Sequence, residues 1–408
     1  LSGAFSRRTK QIPTASFYQI FNQAESQTQD EQAFVHLAFD HDVRPSTKLH
    51  ASAYYGRYDY EGHYTYDHGL NFDLGRGRWW GGELRLVLQP WDRHKVLLGM
   101  EYRDDPHRDQ KNVTPDPYLL VLDDVRQKTS YAGYIQDEWN ITPHTTANIG
   151  VRHDGSDEDI RATSPRLAII HRFGSNTTGK FLYGTAFRPP NAYEKYYVAD
   201  AGTYKANLNL RHEKIKTMEW ILDRAVGIRS RLTASFFTYR IENLIALTVD
   251  PTDSFFVFEN VDRARARGLQ LEWEYGLKAE TRLRASTTWQ RAEDELTNQP
   301  LDNSPRRLAK ASMVWPFGPI WRGGFEIQHV AERATPFDGE VPDYTLANFT
   351  VHSRQLWERA EIRWSIYNLA DVAYFDSPSE EHVDSLGRNL TEIRQDGRSY
   401  LASVVLTF

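Results

Sequence analysis

The 408-residue sequence contains no cysteine, so disulfide bonds and thiolate metal sites are excluded. It also lacks any long apolar run, and 25% of its residues are charged, which excludes a transmembrane helix. The formal net charge of −6 gives no reason to expect nucleic acid as a partner. The first residue is Leu1 rather than Met, and no signal peptide is recognisable. We therefore expect either a processed chain or part of a longer one.

Aromatic residues, by contrast, are abundant at 13% of the chain, with 11 Trp and 22 Tyr. Many segments alternate apolar and polar residues, which is the pattern of an amphipathic β-strand. Residues 397–408 show it clearly, because Tyr400, Ala402, Val404, Leu406 and Phe408 share one face. Chain ends fray unless they are tied into a sheet, and a closed transmembrane barrel ties its last strand to its first. The sequence predicts an all-β fold, a transmembrane antiparallel meander β-barrel.

Each alternating segment has one apolar and one polar face, which a membrane barrel turns toward lipid and toward an aqueous lumen. The apolar residues expected to face lipid are Leu84, Leu86, Leu269, Leu271, Ile362, Trp364, Leu406 and Phe408. The polar residues expected to line the lumen are Arg85, Arg152, Gln270, Glu272, Glu274, Arg282, Arg284 and Arg363. Such a lining would solvate a channel, anchor a plug through ion pairs or bind anionic substrates. For any single residue, wetting the lumen is the simpler interpretation.

Short turns alternate along the chain with long polar stretches, as in barrels that have short periplasmic turns and long extracellular loops. The long stretches are expected near residues 7–32, 60–78, 104–127, 188–212, 243–260 and 369–395. This rhythm predicts about seventeen complete strands after a partial first one. The segment from Leu1 to Ser6 is too short to cross a bilayer, since a spanning strand needs about 9–11 residues.

No residues have the pattern of a catalytic site, so we expect no enzyme activity, and we expect no metal site and no cofactor. His63, Tyr64, Tyr66 and His68 lie together in the polar stretch at 60–78, and they are candidates for contacting a ligand such as a metal chelate. A polar loop without a ligand is the alternative interpretation. The acidic run at residues 154–159 does not match an EF-hand, and a solvated loop is expected there.

The second half of the chain resembles the barrel of TonB-dependent outer-membrane receptors, through phrases that occur in the family's order. The phrases are YIQDEW at 134–139, SPRLA at 164–168, YGTAFRPPNAYE at 183–194, NLNL at 207–210, TME at 217–219, GLQLE at 268–272 after Asn260, and NLADVAY at 368–374. Some have structural reasons. Pro189 and Pro190 cannot continue a strand ladder, and Gly268 permits a bulge or a close approach. Asn368 and Asp371 can cap a turn with their own side chains.

This resemblance implies energy-coupled uptake of a scarce ligand, such as a ferric siderophore or cobalamin, across the outer membrane of a Gram-negative bacterium. Family members combine an N-terminal plug with a barrel of about 22 strands. Residues 1–408 are therefore expected to be the C-terminal portion of a receptor barrel, without the plug and the first strands. The partners would be outer-membrane lipid, a small-molecule ligand and the TonB complex, which would contact the missing N-terminal part.

Two other classes of protein stay open. One is a plugless porin-like channel for passive diffusion, and the other is a soluble β-rich binding protein. The receptor interpretation predicts that the two ends of the sheet do not meet. In that case residues 397–408 do not pair along their length with residues 1–12 or 33–40.

Overall fold

The computed structural model describes residues 1–12, 15–16, 19–199, 204–277, 280–336, 339–353, 356, 359–379, 382–384 and 388–406. Nearly all regular structure in this part of the chain is β-strand, and its one helix has five residues. No helix among the described residues is long and apolar enough to span a membrane. The expectation of an all-β fold is confirmed.

The first half contains β1 (Ser2–Gln11), β2 (Ala15–Ser16), β3 (Gln27–Arg44), β4 (Thr47–Tyr66), β5 (Gly69–Trp91), β6 (His94–Pro115), β7 (Tyr118–Asp124), β8 (Lys128–Thr142), β9 (Thr145–Ser156), β10 (Arg161–Arg172), β11 (Thr177–Arg188), α1 (Ala192–Tyr196) and β12 (Tyr204–Lys205). The second half contains β13 (Glu213–Val226), β14 (Ser230–Val249), β15 (Phe256–Gly276), β16 (Arg282–Asp294), β17 (Arg307–Phe317), β18 (Trp321–Val330), β19 (Arg333–Thr335), β20 (Gly339–Val341), β21 (Tyr344–Ser353), β22 (Ala360–Tyr367), β23 (Phe375–Asp376), β24 (His382–Val383), β25 (Ile393–Arg394) and β26 (Ser399–Leu406).

Twenty of these strands form one sheet. Setting aside the short β7 and β12, which attach beside longer strands, the other eighteen form an antiparallel meander from β1 to β26. Each long strand pairs with the next long strand along the chain, as a single up-and-down sheet requires. The number of strands agrees with the sequence-based expectation for the described part of the chain.

The two ends of the meander are not joined to each other. β1 pairs with β3, and β26 pairs with β22. Among the described residues no register joins β26 to β1 or to β3, as the receptor interpretation predicts. All ten residues of β1 and all but one residue of β26 are exposed, as expected for the edges of a sheet. Phe408, expected to end the last strand, lies outside the described residues.

The expected loops at 60–78 and 104–127 are wrong, because both segments continue as hairpin strands. β4 extends to Tyr66 and β5 begins at Gly69, leaving a two-residue turn between them. Tyr58 and Tyr60 on β4 stand opposite Gly77 and Gly75 on β5. The Tyr58 hydroxyl donates to Asp30 on β3, and the Tyr60 hydroxyl contacts that of Tyr64, so polar contacts replace the apolar alternation that the sequence lacks here.

The first strand is also longer than expected. β1 has ten residues and ends at Gln11, so a short first segment ending at Ser6 is wrong. Its polar outer half pairs with equally polar residues of β3. Arg8 donates to the Asp30 carboxylate at 2.7 Å, and Arg7 donates to the Gln29 side chain at 2.9 Å. These contacts stabilise β1 as a strand, although its own sequence does not alternate apolar and polar residues.

Three motifs do what their residue types predict. β11 ends at Arg188, immediately before the two prolines. A Cβ on Gly268 would lie 2.5 Å from the Phe237 ring and from the Trp289 carbonyl oxygen, so the strands approach closely at this point. The Asn368 side chain accepts from the Val372 amide at 2.9 Å and donates to its carbonyl at 2.8 Å, which closes the turn.

A pair of substitutions on β15 tests the assignment of the two faces. Leu271 is 40% exposed on the apolar face, whereas Glu272 is on the opposite face. Leu271→Arg should impair barrel assembly, because a charge near the bilayer midplane costs about 2–4 kcal/mol. Glu272→Arg is the matched control and should assemble normally. The yield of heat-modifiable folded barrel in membranes measures both, and equal losses would contradict the assignment.

Candidate functional site

The eight residues predicted to line the lumen share one face of the sheet. Directly paired residues of antiparallel strands point to the same side, so the registers can be followed from strand to strand. Arg85 pairs with Gly99, Gly99 with Tyr134, and Tyr134 with Arg152. Continuing the same path through β10–β22 reaches Gln270, Glu272, Glu274, Arg282, Arg284 and Arg363. The described residues expected to face lipid are on the other side. That the polar set lines a lumen stays a prediction.

Arg152 is the centre of an ionic network on this polar face. Its guanidinium donates to both carboxylate oxygens of Glu101 at 2.7 Å and to Asp154 at 2.9 Å. Glu101 stands directly opposite Glu83, which accepts from the Tyr134 hydroxyl. Because two facing carboxylates repel each other, Arg152 and Tyr134 balance the pair. Glu83 and Glu101 were missed in the sequence, and Asp154 was assigned to a solvated loop, although all three occupy the same alternating positions as the arginines.

The predicted residues on β15 and β16 also pair with each other. Arg284 is 3.1 Å from Glu274, and Gln270 donates to Glu272 at 2.5 Å. These groups are exposed, so their pairing contributes little to stability. Arg282 and Arg363 form no ion pair within the described part of the chain. Their charge is therefore available to whatever occupies the polar side of the sheet.

The four aromatic and histidine candidates at 63–68 do not form one site. They belong to the β4–β5 hairpin rather than to a loop, and successive strand residues point to opposite faces. His63 lies on the face opposite Tyr64 and Tyr66, where it contacts Glu61 at 2.7 Å. His68, in the turn, stacks on Tyr66 with ring centroids 5.3 Å apart.

A buried polar cluster, of which sequence reasoning named only Tyr64, lies on the polar face at the outer ends of β4, β5 and β6. We call it the mouth cluster, and its residues are Tyr60, Tyr64, Asn71, Asp73, Asn112 and Tyr197. Asn112 is 1% exposed and donates to Asp73 at 2.5 Å and to Asn71 at 2.9 Å. The Tyr197 hydroxyl donates to the same Asp73 oxygen at 2.6 Å. No sequence signal links Asp73 and Tyr197, which are 124 residues apart.

Tyr197 belongs to the connection between β11 and β13, described at residues 189–199 and 204–212, which we call the bridging segment. At one end it is held by β6, whose Gln110 side chain donates to the Ala192 carbonyl at 3.0 Å. At the other end Asn260 of β15 accepts from the Arg211 amide at 2.7 Å and donates to its carbonyl at 3.0 Å. The bridging segment therefore runs across the polar side of the sheet, from β5 and β6 to β15.

The FRPPNAYE phrase positions the start of the bridging segment. Arg188 donates to both carboxylate oxygens of Glu194, at 2.8 and 2.9 Å, and also to Glu213 at the start of β13. Asn191 caps α1 by accepting from the Glu194 amide at 2.8 Å, and the Glu194 side chain accepts from the Asn191 amide in return. This capping box explains why Arg, Asn and Glu occur at this spacing.

An aromatic core next to the mouth cluster joins the bridging segment to β15. Tyr197, Tyr204 and Phe256 are all at most 7% exposed and pack against Leu122 and Phe258. Burial of these rings provides the apolar support that the polar contacts alone would not give. Together the two groups hold the bridging segment in one position.

Burial changes the protonation of the mouth cluster. It raises the pKa of the Asp73 carboxyl, because the surroundings penalise its charged form, although hydrogen bonds from Tyr197 and Asn112 act in the opposite direction. Burial also raises the pKa of Tyr60 to about 12. The cluster therefore holds neutral hydroxyl and amide groups around one carboxyl whose ionisation is less favourable than in water.

No group of three or more His, Asp or Glu side chains in the described ranges has the arrangement of a metal site. The acidic run at 154–159 is bound by neighbouring groups instead. Glu158 forms ion pairs with Arg108 at 2.5 Å and Lys128 at 3.0 Å. Asp157 accepts from the Thr129 amide at 2.9 Å. These partners engage the Glu158 and Asp157 carboxylates.

A family model described as TonB dependent receptor-like, beta-barrel, matches residues 2–369. The chain therefore belongs to the TonB-dependent receptor β-barrel family, whose members are transport receptors, and it is a protein of the bacterial outer membrane. The resemblance found in its motifs is confirmed, as is the barrel fold class.

The chain is similar to an iron-regulated outer membrane virulence protein of Vibrio cholerae serotype O1, with 24% identity over 311 residues. The match covers 70% of this chain and 46% of that protein, so the chain spans about half the length of this curated relative. Among solved structures, a mutant of the ferric enterobactin receptor PfeA from Pseudomonas aeruginosa has a TM-score of 0.80 at 16% identity, covering 100% of this chain and 66% of that one. The copper transporter OprC has a TM-score of 0.78 at 17% identity, with 94% and 66% covered.

Removing one hydroxyl tests how the bridging segment is fastened. Tyr197→Phe loses the hydrogen bonds to Asp73 and from Asn112, so the segment should open more often, by on the order of 1 kcal/mol. Hydrogen exchange of residues 192–199 in the folded receptor measures this. Tyr196→Phe is the matched control, since the Tyr196 ring lies under the Arg126 guanidinium at 3.4 Å. Equal protection in both variants would contradict the fastening role.

A pH dependence follows from the raised pKa of Asp73. The pKa of Asp73 is higher when the bridging segment is closed over it than when the segment is open. At low pH the carboxyl therefore does not oppose closing. Its free-energy cost to closing grows as the pH rises from the ordinary pKa to the raised pKa. Asp73→Asn should therefore protect residues 192–199 at least as well as the wild type at neutral pH, and the difference should vanish below the ordinary Asp pKa, at about pH 3. Comparing exchange of the two proteins at each pH removes the intrinsic pH effect. Stronger protection in the wild type at neutral pH would contradict this.

Proposed function

We propose that this chain is the C-terminal portion of a receptor that carries a scarce ligand across the outer membrane by energy-coupled transport. The observation that carries the proposal is the bridging segment, which crosses the polar side of a sheet belonging to the receptor family. A passive pore needs an open path, whereas a receptor needs a mouth that binds and admits one ligand. The plug and the contact with TonB would belong to the rest of the receptor.

The ligand class that we propose is a metal chelate, with a ferric siderophore as the first choice and cobalamin as the second. The relatives support placing a ferric siderophore before cobalamin, because they include an iron-regulated protein and a ferric enterobactin receptor. Along the inner half of the polar face, the residues available to an anionic chelate on its path are arginines that form no ion pair within the described residues, such as Arg282 and Arg363. Arginine binds carboxylate and similar oxygen anions through its paired donors.

The passive channel remains the second candidate function. The polar face alone favours it, because arginine, glutamate and glutamine side chains would line a water-filled lumen equally well. The unjoined ends of the meander act against it, since a pore made of this sheet alone would expose unpaired backbone groups to lipid.

Uptake by whole cells separates the two functions. The full-length receptor is expressed in cells that lack other iron receptors, and uptake of radiolabelled ferric siderophores and of cobalamin is measured with and without TonB. We expect saturable uptake of one ligand that disappears without TonB. Arg282→Gln combined with Arg363→Gln should reduce uptake severalfold, and Arg57→Gln, on the other face, should not. Linear uptake independent of TonB would replace the receptor proposal with the channel.

A further inference from the structure

A dense group of basic side chains lies on the apolar face of β13–β17. It begins just beyond a row of large apolar residues that pair across the strands, Trp220, Phe236, Leu269 and Trp289. We call this group the outer basic rim, and its residues are Lys214, Lys216, Arg240, Arg263, Arg265, Arg267, Arg291 and Arg307.

The outer basic rim lies at the limit of the membrane-spanning part of the sheet. Arg267 is nine residues from Gly276, the end of β15 beside a short turn, and Arg291 is nine residues from Arg282, the start of β16. Short turns mark the periplasmic end, and a tilted strand needs about 9–11 residues to cross the bilayer. The rim is therefore level with the headgroups of the outer leaflet.

The positive charge of the rim is not balanced by the protein. Three glutamates lie beside the described residues of the rim, and each already forms an ion pair with a rim cation. The pairs are Lys216 with Glu242 at 2.7 Å, Arg240 with Glu295 at 2.7 Å, and Arg265 with Glu293 at 2.5 Å, where Arg291 also contacts Glu293. Lys214, Arg263 and Arg267 form no ion pair with any described residue. Glu242 stands opposite both Lys214 and Arg263 but is already paired with Lys216, and Arg267 stands opposite Arg291. The eight basic residues therefore exceed the three glutamates by five charges.

The registers also place like charges directly opposite each other. Arg240 pairs with Arg265, and Arg267 pairs with Arg291. Facing like charges destabilise a sheet unless a counter-ion lies between them. A phosphate group meets this need, because its oxygens accept two parallel hydrogen bonds from each guanidinium.

At one end the rim opens into a recess of about 310 Å³. The recess is lined by Arg291 and Arg306, with the side chains of Asn298 and Ser304 nearby. Two guanidinium groups, an amide and a hydroxyl are suitable donors for a phosphate and for sugar hydroxyls next to it. The recess therefore favours a phosphorylated sugar headgroup over a bare inorganic ion.

The described part of β3–β7 carries a different charge. On the same face of β3–β7, a cavity of about 510 Å³ is lined mainly by acidic groups. Its charged residues are Glu31, Asp59, Glu61, Arg76, Asp109, Lys111 and Asp123. The basic rim is thus a property of one sector, as a localised binding site requires.

We propose that the outer basic rim binds a lipid of the outer leaflet whose headgroup carries phosphate on sugar. The phosphates lie between the arginines, and the acyl chains lie along the apolar row formed by Trp220, Phe236, Leu269 and Trp289. This site is on the outside of the barrel, so it is separate from the polar face that would carry the ligand. It holds one lipid next to the strands that anchor the bridging segment.

Purified, delipidated full-length receptor tests the proposal, with lipopolysaccharide and enzymatically dephosphorylated lipopolysaccharide as probes. The triple variant Lys214→Gln, Arg263→Gln, Arg267→Gln should bind lipopolysaccharide about a hundredfold more weakly, at about fivefold for each lost charge. Arg57→Gln is the matched control, since Arg57 faces outward on β4, ten residues from Thr47, in the acidic sector. Its affinity should match that of the wild type.

The wild type alone provides a second test that does not depend on folding of the triple variant. Its affinity should fall steeply with salt and should fall when the phosphates are removed from the probe. Equal affinity for the two probes would overturn the proposal, as would equal binding by the triple variant and the wild type. Capture of an acidic protein without any preference for phosphorylated lipid would also overturn it.

Discussion

The structure depends on one constraint, which is that a backbone hydrogen bond inside a membrane has no water to replace it. Each amide and carbonyl must therefore find its partner on a neighbouring strand. An antiparallel meander meets this requirement with short turns, because each strand pairs with the next along the chain. Among the long strands of the described part of the chain, β1 and β26, at the two ends of the meander, have one unpaired side. Backbone pairing, rather than side-chain packing, thus determines the fold, and side chains are free to divide the two faces between apolar and polar surroundings.

The regular registers turn a local alternation into a surface shared by the whole sheet. Arg85 and Arg363 are far apart in sequence, but both lie on the face that a continuous path of paired residues connects. This is why the faces could be predicted from short segments alone. The same rule gives the apolar face its own outer boundary, where Leu269 is followed by Arg267 at the next position on that side. A step of two residues along one strand therefore leads from a large apolar side chain to a cationic one.

Sequence reasoning predicted the barrel, the faces and the short turns, because these follow from period-two patterns. It failed where pairing partners replace the apolar pattern. The hairpin around Tyr60 was taken as a loop, since the glycine opposite each ring is visible only once the register is known. The mouth cluster was missed for a related reason, because Asp73 and Tyr197 become neighbours only through tertiary structure. The family phrases marked Arg188 and Asn260, but their roles as a helix clamp and a loop anchor required the contacts themselves.

The bridging segment is fastened in a way that suits a part able to move. Its contacts with β5 and β6 are mainly hydrogen bonds to Asp73, Asn112 and Gln110, and each contributes a net stability of only about 1 kcal/mol. At β15, by contrast, β12 pairs with Phe256 and Val257, and Asn260 adds two hydrogen bonds to Arg211, so this end is held more firmly. A ligand shifts such an equilibrium only by its difference in affinity for the two positions. The end near Asp73 therefore needs the smaller difference in ligand affinity to be released. A ligand that competes for the hydroxyl and amide groups there would release that end, and the segment would turn about its attachment to β15.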